Sequence, residues 1–92
     1  GLDDALRAVL QDDFDPEAAS VDDVAVSHVL TYGETVGTLT KNGLLDTALV
    51  LDWWWAAGVW ARVGPAALKA RDKVGVPELY ENFEALAAAQ GG

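Results

Sequence analysis

The chain has 92 residues, 51% of them hydrophobic, with no cysteine and a formal net charge of −9. That hydrophobic fraction excludes general disorder, and the lack of cysteine excludes disulfides, thiolate metal sites and a cysteine nucleophile. So acidic a surface repels a nucleic-acid duplex or an anionic bilayer, which argues against both as partners.

The longest charge-free stretches, such as Trp53 to Ala61, fall far short of the ~20 residues a membrane span requires. The amino terminus carries Asp3 and Asp4 instead of a basic and then apolar run, so no secretory leader is expected and the expected location is cytoplasmic. Residues 1–92 read as a single helical domain. An amino-terminal helix and acidic connector occupy 1–19, and the core of a bundle occupies 20–92. A domain this small without covalent staples must rely on helix packing, with self-association as a further source of stability.

In chain order, Leu2, Leu6, Val9 and Leu10 recur at helical spacing and predict a first helix ending near Gln11. Asp12 to Glu17 is an acidic connector, with Asp15 and Pro16 as a helix start that makes about one turn. Ser20 is the expected cap of a central helix running to Asn42, with Gly43 as its left-handed terminator. Its main apolar stripe is Val21, Ala25, His28, Tyr32, Thr35, Val36 and Leu39. A second stripe is Val26, Leu30, Gly33 and Gly37. A helix apolar on two faces is packed on two faces, which places it at the centre.

Asp46 caps the third predicted helix. Leu49, Trp53, Ala56, Trp60, Val63, Ala67, Ala70 and Val74 follow an unbroken 4,3,4,3 spacing, which predicts one long helix from Asp46 to Val74, bent near Gly64-Pro65, with a full break at Pro65 as the alternative. Gly75 ends it, Pro77 opens the last helix, and Gly91 and Gly92 close that one. The expected fold is all-α, a compact bundle of four to five helices. Trp53, Trp60, His28, Tyr32, Leu39, Leu79, Phe83 and Leu86 are expected to be mostly buried.

From about Val29 to Leu86 the order of motifs is distinctive. Tyr32 to Gly37 reads aromatic-x-Glu-x-Val-Gly, and Gly43-Leu44-Leu45-Asp46 follows. Trp60, Pro65, Arg71, Gly75 and Pro77 come next, and Leu79-Tyr80-Glu81-Asn82-Phe83-Glu84 closes the series. This pattern resembles a family of small helical bacterial and archaeal proteins known as a domain of unknown function. Members of that family often carry a membrane segment ahead of the domain, and this sequence shows none. The resemblance implies a helical fold and no assigned activity, substrate or cofactor.

The chemistry-bearing residues are few. His28 is the only histidine and lies in the main apolar stripe, where a structural role is expected, because catalysis and metal binding need partners around it. Arg71 lies near the stripe of its helix and is expected to pair with Glu34 or Glu84. The alternative is a ligand pocket near His28, Tyr32 and Arg71, serving a small-ligand sensor or an enzyme. Asp12, Asp13, Asp15, Glu17, Asp22 and Asp23 do not fit a calcium loop, since Phe14 stands at the third position and no glycine stands at the sixth. Gly33 and Gly37 match small-xxx-small spacing, read here as close helix approach in a water-soluble core. No phosphate loop, dinucleotide fingerprint, nucleophile elbow or zinc spacing is present. No catalytic, metal or cofactor residue is therefore assigned.

All four tryptophans lie between residues 53 and 60. At about 100° per residue, Trp53, Trp54 and Trp55 point in three directions. Register assigns Trp53 and Trp60 to the core, Trp54 to a flank, and Trp55 to the side that carries Arg62. Trp54, Trp55 and Arg62 are the expected contact residues of a non-enzymatic structural or protein-interaction module, with a homodimer as the expected assembly. Burial of Trp55 under the amino-terminal helix or connector is the competing expectation.

Overall fold

A computed structural model describes residues 1–91; the expected stop at Gly92 lies outside the described residues. Five helices follow one another: α1 (Leu2–Val9), α2 (Val24–Lys41), α3 (Thr47–Trp53), α4 (Ala56–Val74) and α5 (Glu81–Ala89). No strand occurs among the described residues, so the all-α bundle is the observed architecture. As expected, α2 is central, packing against α1, α4 and α5.

The face that α2 buries differs from the expected one. Val26, Val29, Leu30, Gly33, Val36 and Gly37 are its buried residues, which is the second stripe with Val29 and Val36 added. His28 and Thr35 of the expected main stripe are exposed, and Tyr32 and Leu39 are only half-buried. The glycines explain the choice. A Cβ on Gly37 would lie 2.4 Å from the Asn82 carbonyl oxygen, so α5 approaches α2 along its least bulky line. α2 also starts later than Ser20. Ser20 Oγ accepts from Asp22 N–H at 3.1 Å within a turn, and Asp23 is the cap, its carboxylate accepting from Ala25 N–H at 3.0 Å. At the other end Gly43 adopts φ +75°, and Leu44 N–H donates to the Leu39 carbonyl at 2.9 Å, a left-handed termination as expected.

The expected single helix from Asp46 to Val74 is two helices, and the interruption falls at Trp54 and Trp55, with α4 continuing through Pro65. Trp54 is extended (φ −122°, ψ 127°). The break is held by one side chain from the far end of the chain. Gln90 Oε1 accepts from Ala57 N–H at 2.7 Å, and Gln90 Nε2 donates to the carbonyls of Leu51 and Trp54 at 3.0 and 2.8 Å. One carboxamide thus supplies the cap that Trp55 does not give α4, satisfies the Leu51 carbonyl at the end of α3, and joins Ala56 N–H on the Trp54 carbonyl. Gln90→Ala is expected to cost about 2–3 kcal/mol, roughly 1 kcal/mol per lost bond, measured as a lower urea midpoint at unchanged slope. A loss below about 0.5 kcal/mol would remove Gln90 from this role.

The interruption also resets the register. Downstream, the expected positions Ala56, Val63, Ala67 and Ala70 are buried. Upstream the inward residues are Val50 and Trp54, so Leu49 and Trp53 face solvent. Trp53 is therefore not a core anchor; Trp54 is. Its indole lies between Tyr32 (centroids 5.2 Å, edge-on) and Phe83 (5.5 Å, stacked), and Trp60 meets Phe83 at 5.1 Å.

Helix α5 begins at Glu81, four residues after Pro77. A helix starting at Pro77 would bond Phe83 N–H to the Leu79 carbonyl. Two side chains divide that bond: Arg71 Nε donates to the Leu79 carbonyl at 2.7 Å, and Glu34 Oε1 accepts from Phe83 N–H at 2.9 Å. Tyr80 between them takes φ +61°.

Candidate functional site

Polar side chains with chemical potential are mostly occupied in holding the helices. Of the two partners expected for Arg71, Glu84 is the one found, with Arg71 Nη2 to Glu84 Oε1 at 3.0 Å. Glu34 instead caps α5, accepting from Phe83 N–H and from Asn82 Nδ2, the latter at 2.9 Å. Asn82 Nδ2 also reaches Thr38 Oγ1 at 3.2 Å.

The pocket expected near His28, Tyr32 and Arg71 does not assemble. His28 is exposed and lines a shallow recess with Gly1, Asp4, Ala5, Val24 and Ala25. Arg71 borders a different recess with Leu68, Asp72, Gly75 and Pro77. Tyr32 packs on Trp54. The cause is the change of face on α2: once Val26, Leu30, Gly33 and Gly37 face the core, the His28 side is turned outward. No grouping of carboxylates and histidine suited to a metal ion occurs among the described residues.

The acidic connector is fastened through its main chain. Arg62 Nη1 donates to the carbonyls of Gln11 and Phe14 at 3.2 and 3.4 Å. Lys69 Nζ donates to those of Glu17 and Ala19. The cations bind carbonyls, so the side chains of Asp12, Asp13, Asp15 and Glu17 remain exposed. It follows that the connector lies along α4 beside Arg62 and Lys69, while Trp55 stays open.

The tryptophan run carries two exposed indoles. Trp53 and Trp55 are 58% and 65% exposed, and Leu44, Leu45 and Leu49 are exposed beside them in sequence. Leu49 and Trp53, four residues apart within α3, share one side of that helix, and Leu44 and Leu45 lie exposed in the turn before it. The indole of Trp55 is not loose. It lies against Gly58, where a Cβ would come within 2.1 Å of the ring. Of the three expected contact residues, Trp55 is on this surface, Trp54 is in the core at 8% exposure, and Arg62 is engaged with the connector.

A family model described as a domain of unknown function, DUF4760, matches residues 3–90. The chain belongs to that family. Neither a curated protein nor a solved structure matches it. Family membership agrees with an uncharacterised helical domain and brings no activity to this DUF4760 domain. Among its described residues no helix is long and apolar enough to cross a membrane.

The exposed indole that sequence reasoning placed in the core is Trp53. The available signal was the Asp46 cap, whose carboxylate accepts from Leu49 N–H at 3.3 Å. A short helix begun there can turn Val50 and Trp54 inward together, since they are four residues apart.

Proposed function

We propose that this DUF4760 domain is a non-enzymatic protein-interaction module whose contact face is the exposed side of α3 with Trp53 and Trp55. The observation that carries the reading is the exposure of two indoles beside three leucines in a domain that otherwise has an apolar core. Tryptophan is enriched among residues that dominate binding energy at interfaces, and a patch of this kind on a small water-facing domain marks a contact site. The ring of Trp55, already held against Gly58, loses little freedom on binding.

The occupant of the face is either another protein or a second copy of the chain, the homodimer expected from sequence. A photo-cross-linking residue placed at position 53 or 55 in the producing cell tests the reading. A discrete adduct is expected at each, with none from the same group at exposed Leu68. An adduct of twice the chain's mass, with a dimer in sedimentation, identifies a second copy. Labelling at 53 and 55 no stronger than at 68 would sink the reading.

A further inference from the structure

Between the two outer indoles lies a cleft of about 260 Å³, lined by Leu51, Asp52, Trp53, Trp54, Trp55 and Gln90. The carboxamide of Gln90 is spent on Ala57 N–H and on the carbonyls of Leu51 and Trp54. The chemistry still available there is the exposed carboxylate of Asp52 beside the indoles of Trp53 and Trp55. Indole faces attract a cation, and a carboxylate beside them adds a charge-assisted hydrogen bond.

The sequence around the cleft does not provide that cation. No lysine or arginine occurs between Lys41 and Arg62. Lys41 borders a different recess with Thr47, Glu81 and Asn82, Arg62 and Lys69 hold connector carbonyls, Arg71 holds Glu84, and Lys73 and Arg7 lie near Asp22 and Asp4. A net charge of −9 favours the approach of a basic partner. Resting on the interaction reading above, we propose that the cleft seats an arginine or lysine side chain of a basic amphipathic protein segment, whose apolar residues cover Leu45 and Leu49. A second copy is the poorer occupant. Two-fold antiparallel pairing of α3 about Leu49 sets Asp46 of each copy opposite Asp52 of the other, and like charges so placed repel.

The test titrates the intact domain into a labelled synthetic amphipathic helix of leucine and arginine, read by fluorescence anisotropy, with a leucine and glutamate counterpart. The arginine peptide is expected to bind saturably and the glutamate peptide not to bind. Asp52→Asn and Trp55→Ala should each weaken binding about fivefold or more. Asp12→Asn with Asp13→Asn, far along the chain on the connector, should change it less than about twofold if the local cleft outweighs the general field, whose reach is about 10 Å at 0.1 M salt. Four results overturn the proposal: no saturable binding of the arginine peptide, an equal response to Asp52→Asn and to the connector variants, tight binding of tetramethylammonium alone at the cleft, or a stable dimer that Trp55→Ala dissociates. If the glutamate peptide binds through Trp53 and Trp55, the cation assignment fails and the interaction reading stands. If no peptide binds and cross-linking at 53 also gives no adduct, both fail.

Discussion

Replacing Trp54 with alanine is expected to cost about 3–5 kcal/mol, the range for removing a large buried aromatic side chain. Replacing the adjacent Trp53 should stay within about 0.5 kcal/mol, as for an open surface position. The contrast follows from burial: Trp54 is 8% exposed and Trp53 58%. Trp54 is also in contact with both Tyr32 and Phe83, so its loss leaves a cavity that the edge of Tyr32 and the face of Phe83 cannot both fill. For a domain of this size each kcal/mol shifts the melting temperature by roughly 4–8 °C, so the two variants should be separated by well over ten degrees. Denaturant midpoints at equal slope give the same comparison without extrapolating across temperature. Equal losses for the two substitutions would mean that α3 sits in another register, and the cleft between Trp53 and Trp55 would go with it.

That pair of residues also shows what could be read from the sequence. The helical class, the central position of α2, the left-handed stop at Gly43 and the helix end at Gly75 were legible, because apolar spacing and glycine conformation are local properties. The ion pair of Arg71 with Glu84 was among the alternatives for the same reason: a cation near an apolar stripe needs a partner. The break at Trp54 and Trp55 was not legible. Its cause is Gln90, which is 36 residues from Trp54 in sequence, and a periodic pattern cannot report a cap delivered from another helix. The late start of α5 has the same origin, since Arg71 and Glu34 come from α4 and α2. Within the tryptophan run, sequence periodicity exchanged the places of Trp53 and Trp54, because the 4,3,4,3 spacing was carried unbroken across a junction where the chain is extended.

Gly37→Ala is expected to destabilise the domain by about 3 kcal/mol or more, although alanine in place of a helical glycine would by itself gain about 1 kcal/mol. The added Cβ would lie 2.4 Å from the Asn82 carbonyl oxygen and 2.9 Å from Phe83 N. Both are backbone atoms, so no rotamer change relieves the contact and α5 must move away from α2. Overpacking of a fitted seam typically costs about 1–3 kcal/mol. The movement also pulls Phe83 N–H and Asn82 from Glu34, and hydrogen bonds to a charged group contribute about 1.5–3 kcal/mol each. Gly33→Ala separates these effects. Its Cβ would meet the Phe83 ring at 2.2 Å, a side chain that substitution can shorten. Phe83→Leu combined with Gly33→Ala should therefore recover part of the loss relative to the sum of the single changes, whereas Phe83→Leu should do nothing for Gly37→Ala. A double-mutant cycle measures both couplings. Additive behaviour at Gly33, or a Gly37→Ala variant as stable as the parent chain, would mean that the α2–α5 seam is looser than the structure shows. The glycines would then have no part in turning the His28 face outward.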